Sequence, residues 1–130
     1  MSDSFEHTDK AIYYFGGQSS AQNGKIYEIL DRRGLGGDTE FKIEPGWYSR
    51  RSFNPYYDVE EGDILVATCR GYMGRRSYSE PGKEYQIFSI TIGYRGHQRI
   101  RVMTRDGLRI AEHYLFKPVQ ITLKQKVDLI

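Results

Sequence analysis

Apolar and polar residues alternate most regularly over residues 82–118. Tyr85 and Ile87 share one face of a predicted strand, and the chain returns through 100–103 with the same period of two. A Gly-rich turn and an Asp-Gly turn separate these runs. A period of two interrupted by such turns is typical of short antiparallel strands. This half of the chain therefore predicts a small closed or nearly closed β-barrel.

The first half of the chain carries shorter runs of the same kind. Apolar residues predict strands at 11–15, 25–30 and 41–43. The segment 31–38 holds three glycines after its first residues and predicts a loop. The segment 47–55 is expected to lead out of this unit.

Three stretches of the first half recur in the second. The matching pairs are 24–29 (GKIYEI) with 82–87 (GKEYQI), 41–43 with 100–102, and 53–55 (FNP) with 116–118 (FKP). The offsets are 58, 59 and 63, which places the changes of length in turns. Matching strands with length changes confined to loops are the mark of a duplicated β unit, and chance similarity between short strands is the alternative.

The order of signals in the second copy resembles a known class of fold. An acidic-Gly-Asp start at 61–63 is followed by an apolar strand, a long polar loop, Gly-Lys-x-Tyr-x-Ile, a basic turn, Ile-x-Val, Asp-Gly and a terminal Phe. Together these resemble Src-homology-3-like barrels, in particular the small barrel proteins frequent in bacteriophage and bacterial genomes. The resemblance covers 58–119 well and 9–55 less well. The resemblance assigns no catalytic residue to this chain, and it implies a binding function only by analogy of fold.

The fold class expected is all-β, as two tandem small Src-homology-3-like barrels or as one composite barrel built from a duplicated β unit. The predicted divisions are an acidic N-terminal arm at 1–8, a first β unit (a degenerate barrel) at 9–57, a second β unit at 58–119, and a C-terminal strand and tail at 120–130. No apolar run approaches the roughly 20 residues of a membrane span. Cys69 is the one cysteine and cannot form an intramolecular disulfide. These features predict a cytoplasmic protein, in the host cytoplasm or the virion if it is phage-encoded.

The net charge of +2 conceals two oppositely charged halves. Residues 1–63 carry a net −5, residues 64–110 a net +6, and residues 111–130 a net +1. Such a split favours an anionic partner for the basic segment, or attraction between the halves within or between molecules. Two solvated faces that differ in charge are the simpler interpretation.

Catalysis, metal binding and nucleotide binding find little support in the sequence. Residues 17–21 (GQSSA) lack the following helix that a strained catalytic serine needs. His7, His97 and His113 do not stand at metal-ligand spacing. The glycines at 34–37 lack the Lys-Ser/Thr and helix of a phosphate cradle. We therefore expect no enzyme, no metal and no cofactor.

Arginine beside aromatic residues is the remaining signal. Twelve of the 19 basic residues are Arg, which favours planar, bidentate or stacking contacts. In a barrel, the loop 70–78 and the turn 93–99 can converge on one mouth. The predicted binding residues are Trp47, Tyr48, Arg50, Arg51, Tyr72, Arg75, Arg76, Tyr78, Tyr94, Arg95, Arg99 and Arg101. The alternative is that Arg and Tyr simply cover a small barrel with long amphipathic side chains.

Two functions fit this pattern. The first is a non-enzymatic binding module, of the phage accessory or structural kind, which engages a protein partner or self-assembles through its charge-complementary halves. The second is a nucleic-acid-binding protein that uses the Arg/Tyr loops of the second unit. The acidic first unit argues against a broad nucleic-acid surface, so protein binding ranks first.

Overall fold

The computed structural model describes residues 4–14 and 20–119, except the side chain of Tyr94. The strands are β1 (Lys10–Tyr13), β2 (Ile26–Glu28), β3 (Asp31–Arg33), β4 (Glu40–Ile43), β5 (Gly46–Ser49), β6 (Phe53–Tyr56), β7 (Ile64–Ala67), β8 (Tyr72–Gly74), β9 (Ser77–Tyr78), β10 (Glu84–Ile92), β11 (Gln98–Thr104), β12 (Gly107–Ile110) and β13 (Phe116–Pro118). Short 3-10 turns at Gly36–Asp38, Arg50–Ser52 and Tyr94–Gly96 are the only helical elements in this part of the chain. The all-β prediction is confirmed.

The strands form four antiparallel sheets. Their orders are β2-β1-β6, β3-β4-β5, β12-β11-β10-β7-β13, and the two-stranded β8-β9. Over the described residues no sheet closes into a barrel, because the edge strands β12 and β13 are joined by the turn at 111–115 and make no ladder with each other. The sheets are therefore open, in contrast to the closed barrels that the sequence predicts.

The two three-stranded arrangements around β1 and β7 share one order and one register. β1 lies between β2 and β6, and β7 lies between β10 and β13. Ala11 of β1 lies opposite Tyr27 and Pro55, and Leu65 of β7 likewise lies opposite a tyrosine and a proline. Two of the three matched pairs, 24–29 with 82–87 and 53–55 with 116–118, thus occupy corresponding places, whereas 41–43 lies in the separate sheet β3-β4-β5.

One tyrosine in each unit holds the loop before it. The hydroxyl of Tyr27 accepts a hydrogen bond from the backbone N–H of Gln22 at 2.9 Å, and the hydroxyl of Tyr85 accepts one from Glu80 at 3.2 Å. The lysine two positions earlier lies over each ring, with its ammonium 5.1 Å from the centroid in the first unit and 5.4 Å in the second. The hydrogen bond from the loop to the tyrosine and the packing of lysine on its ring therefore occur in both units.

Each unit also has a hydrophobic core of its own. The first core gathers aromatic rings on β1, β4 and β6, namely Tyr13, Phe41 and Phe53, and it buries Phe5 of the N-terminal arm. The second core is more aliphatic and is centred on Leu65, Ile87, Ile100, Val102 and Phe116. Each fully buried side chain of this size contributes roughly 1.5–3 kcal/mol.

Hydrogen bonds from Tyr57 and Asn54 help to join the units. The hydroxyl of Tyr57, in the connecting segment, lies 2.5 Å from the backbone oxygen of His113 and 2.6 Å from that of Phe116. The side-chain amide of Asn54 donates to the backbone oxygen of Arg95 at 2.7 Å. The second unit's turn at 94–96 is thereby fastened to β6 of the first.

Several predictions about the first half are wrong. Residues 31–33 form β3 rather than a loop, because they pair with β4. The segment 47–55 does not lead out of the unit: it contains β5 and the start of β6, which pairs with β1. The C-terminal strand and tail predicted at 120–130 lie outside the described residues.

Candidate binding surface

The loop between β7 and β10 folds into a hairpin with an unusual tip. Gly74 lies opposite Ser77, so Arg75 and Arg76 are the two turn residues. Their φ angles are 47° and 61°. Turns with both central residues in this left-handed region normally use Asn-Gly, because a larger side chain is strained there. Placing arginine at both turn positions therefore strains the backbone.

Two tyrosines and an arginine cluster at the base of the hairpin. The rings of Tyr72 and Tyr78 meet edge to face with centroids 5.7 Å apart. The guanidinium carbon of Arg70 lies 4.8 Å from the Tyr78 centroid. Both rings are largely exposed, at 58% and 49%. Exposed rings combined with guanidinium groups can stack on a flat ligand and contact an anion beside it.

Arg109 on β12 fastens this hairpin to the sheet. Its Nε donates to the hydroxyl of Ser77 at 3.0 Å, and its Nη2 donates to the backbone oxygen of Asp106 at 3.0 Å. The side chain is buried. Arg109 therefore supports the hairpin rather than offering a charge to a ligand.

A groove of about 320 Å³ runs between the hairpin and the β11–β12 turn. Its lining includes Arg70, Arg76, Tyr78, Lys83 and Arg105. Two carboxylates also line it, and one of them lies 3.9 Å from the Lys83 ammonium. Cations outnumber carboxylates four to two, so the groove favours an anionic ligand.

The predicted turn at 93–99 does not join this groove. The hairpin leaves β7 and returns to the start of β10, where Gly82 N donates to Ala67 O at 2.8 Å. The 94–96 turn lies beyond the other end of β10, nine residues away, which in an extended strand is about 30 Å. Arg95 there is tied to the first unit through its backbone, and the side chain of Tyr94 is not described. The two loops therefore do not form one mouth.

Arg99 and Arg101 lie instead on the outer face of β10–β11–β12. Arg101 lies opposite Ser89 on one side and Ile110 on the other, so the three share a face. Four exposed apolar residues accompany the arginines on this face: Phe88, Met103, Leu108 and Ile110. We refer to these six residues, Arg99 and Arg101 with the four apolar ones, as the outer face.

The four predicted residues of the first unit contact their own unit. The Arg33 guanidinium lies 4.1 Å from the Trp47 ring centroid, and the Tyr48 ring packs edge to face on a buried tyrosine at 5.5 Å. Arg50 lies 5.3 Å from a buried phenylalanine ring, and Arg51 lies against the neighbouring 3-10 turn. The structure does not bring these residues to the hairpin.

Ionisable groups with shifted pKa values lie at the joint between the units, not in the groove. Burial lowers the pKa of His113 to about 4, with a smaller contribution from nearby His97. Burial also raises the pKa of Tyr57 above its usual range. Among the described residues, no group of three or more His, Cys, Asp or Glu side chains is placed to hold a metal ion. In the same residues no helix is long and apolar enough to span a membrane.

Sequence reasoning does not identify Lys83, Arg105 or Arg109 as parts of this surface. Lys83 belongs to the Gly-Lys pair that also occurs in the first unit, so it gives no distinctive signal. Arg105 precedes the Asp-Gly turn, whose pattern indicates a turn alone. Arg109 alternates with two apolar neighbours, and this pattern predicts an outward position that the structure does not bear out.

Comparison with known protein-family models, curated proteins and solved structures gave no match to the chain.

Proposed function

We propose that the protein is a non-enzymatic binding module that self-associates through the outer face of its second unit. The outer face carries this proposal, because it places four exposed apolar side chains beside two arginines. Apolar, aromatic, Met and Arg residues are those enriched at the centres of protein interfaces. Contiguous apolar surface on a soluble protein favours a docking role.

The proposed occupant is the first unit of a second copy. That unit is acidic, with a net −5 over residues 1–63, whereas 64–110 has a net +6. It also exposes Leu30 and Leu35 close in sequence to Asp31 and Asp38. The net negative charge of the first unit, together with the apolar Leu30 and Leu35 exposed on it, supports a contact with the basic outer face. Such a head-to-tail contact forms rings or filaments.

The corresponding face of the first unit is less suited to docking. There, Arg33 Nε donates to Glu40 at 2.9 Å and its guanidinium covers the Trp47 ring. Charges that are already paired and rings that are already covered gain less from a partner. This contrast supports the second unit as the docking side.

We further propose that the two units are copies of one β unit, in keeping with the Src-homology-3-like phage and bacterial proteins that the second unit resembles. The support is the shared strand order, register and tyrosine contact. A repeated unit with opposite charges in its two copies suits an accessory or structural protein that assembles with itself.

Sedimentation velocity tests the association. The parent protein should form larger species at about 0.05 M salt and fewer at about 0.5 M, because salt screens the charge contact. Replacing Arg101 and Met103 with Glu should leave a monomer, and a second variant with Asp31→Arg and Asp38→Arg should restore association when mixed with the first. Lys117→Glu on the exposed part of β13 is the control and should associate like the parent. A parent that stays monomeric at both salt concentrations would refute the proposal.

A further inference from the structure

Two stretches of the second unit are longer than their counterparts in the first. The loop before β10 is four residues longer than the loop before β2, counted between corresponding strand ends. The stretch from Val102 to Phe116 is also four residues longer than its counterpart from Ile43 to Phe53, and its four-pair β11–β12 ladder reaches two positions further along the chain than the four-pair β4–β5 ladder. The described sheets of the first unit form with the shorter stretches. These additions therefore do something other than complete the β unit.

Both additions meet at one place. The longer loop forms the β8–β9 hairpin, and the second longer stretch carries the Thr104–Gly107 turn beside it. Arg109 bridges them with hydrogen bonds to Ser77 and to the backbone of Asp106. The 320 Å³ groove lies between the two additions. Two insertions that build one groove are best explained by a ligand of that groove.

The hairpin tip supports the same conclusion. Arg75 and Arg76 occupy left-handed positions that Asn-Gly would fill at lower cost. Strained backbone of this kind concentrates at ligand clamps and active sites. Arg76 of this strained tip lines the groove, so the turn favours a role in binding over a role in the fold.

We propose that this groove binds a single strand of nucleic acid. The cationic side chains Arg70, Arg76, Lys83 and Arg105 suit successive phosphates, and the exposed rings of the hairpin suit the bases beside them. A duplex keeps its bases stacked inside and would leave these rings unused. A protein segment rich in Asp and Glu could pair with the cationic side chains of the groove, but it offers no planar ring to stack on Tyr78. The site is separate from the outer face, so it adds to the proposed self-association rather than depending on it.

Fluorescence anisotropy with a labelled oligothymidylate of roughly 12 nucleotides measures this binding over a salt series. The key variant is Arg75→Asn with Arg76→Gly, which removes two charges and gives the turn its preferred residues, so it should fold at least as well as the parent. Its affinity should fall, and the slope of log K against log salt should shrink by about 0.7, since Arg76 lines the groove and each phosphate contact on a single strand contributes about 0.7. Lys25→Gln with Lys42→Gln removes the same charge from the first unit and should leave the slope unchanged.

A second variant, Tyr78→Leu, keeps an apolar side chain but loses the ring, and should weaken binding about 5- to 150-fold with the slope preserved. Three results would overturn the proposal: no binding at low salt, an equal loss of slope in the first-unit control, or competition by poly-glutamate as effective as by unlabelled oligothymidylate. The last of these would assign the groove to an acidic protein.

Discussion

The side-chain amide of Gln98 pairs with the backbone of Tyr57 as a neighbouring strand would. Its Oε1 accepts from Tyr57 N–H at 2.8 Å, and its Nε2 donates to Tyr57 C=O at 2.9 Å. Tyr57 belongs to the segment between the units and has no strand beside it at this point. One buried side chain on β11 therefore binds both backbone groups of Tyr57, whose C=O also accepts a hydrogen bond from Val59 N–H at 2.9 Å.

Replacing Gln98 with the similarly sized but apolar Met should destabilise the protein markedly. The backbone N–H of Tyr57 would lose the hydrogen bond to Gln98 and be left buried, at about 1–3 kcal/mol, while its C=O would keep the hydrogen bond from Val59 N–H. Gln86→Met is the matched control, because Gln86 is exposed and makes one long hydrogen bond of 3.2 Å to Gly62. Urea-induced unfolding gives both free energies, and a Gln98 variant no less stable than the control would contradict this role.

His113 should make stability depend on pH. Its Nε2 lies 2.9 Å from Gln98 Oε1, which can only accept, so the neutral ring donates from Nε2. Burial lowers the pKa of His113 from 6.5 to about 4. Between these values the unfolded chain binds a proton that the folded chain does not. The contribution of His113 to the free energy of unfolding should therefore be fully present above about pH 6.5. It should fall by about 3 kcal/mol as the pH drops to 4.

Urea unfolding of the parent and of His113→Gln across this pH range isolates the contribution. Carboxylates titrate in both proteins, so the difference between the two curves reports His113 alone. We expect that difference to shrink as the pH falls from 6.5 to 4. Parallel curves would mean that the folded protein accepts the proton on His113 without cost.

Arg109→Met should release the β8–β9 hairpin while leaving the two cores intact. The variant loses the hydrogen bonds to Ser77 and to the Asp106 backbone. Hydrogen bonds from charged groups contribute about 1.5–3 kcal/mol, so amide exchange in the hairpin should accelerate by roughly tenfold or more. Arg101→Met on the outer face is the control, and exchange in its hairpin should match the parent. Unchanged exchange in the Arg109 variant would show that the hairpin is held by other contacts.

The alternation of apolar residues locates the central strands of the second unit well. It identifies Tyr85 and Ile87 as core residues of β10, and the apolar strand expected after 61–63 is β7. Beyond Ile87 the pattern loses its phase, because a bulge sets both Phe88 and Ser89 against Arg101. A single inserted residue of this kind reverses the face of every later residue in the strand and leaves no separate signal in the sequence.

β12 shows how tertiary pairing overrides a local pattern. Leu108 and Ile110 suggest an apolar inner face, yet both are exposed and Arg109 between them is buried. The reason lies in the neighbouring strand: Val102 points into the core, and Arg109 lies opposite Val102, so it must point the same way. Hence the outer face could not be found from the sequence of β12 alone.

The exit from the first unit predicted at 47–55 is wrong, and Pro55 lies within the strand β6 found there. Considered alone, its local sequence argues against a strand. In the structure β6 is the edge of its sheet, where a missing N–H is tolerated. The hairpin 72–78 escapes prediction for a related reason, since Arg75-Arg76 gives none of the usual glycine or asparagine turn signals.

The strand pairing also constrains how such a chain can grow. In each unit the first strand lies beside the last, β1 beside β6 and β7 beside β13, so the polypeptide arrives and departs at neighbouring positions. Another whole unit can then be spliced in at the junction without passing the chain through any existing sheet. A protein of this design is extendable by gene duplication alone, with each added module free to acquire its own insertions.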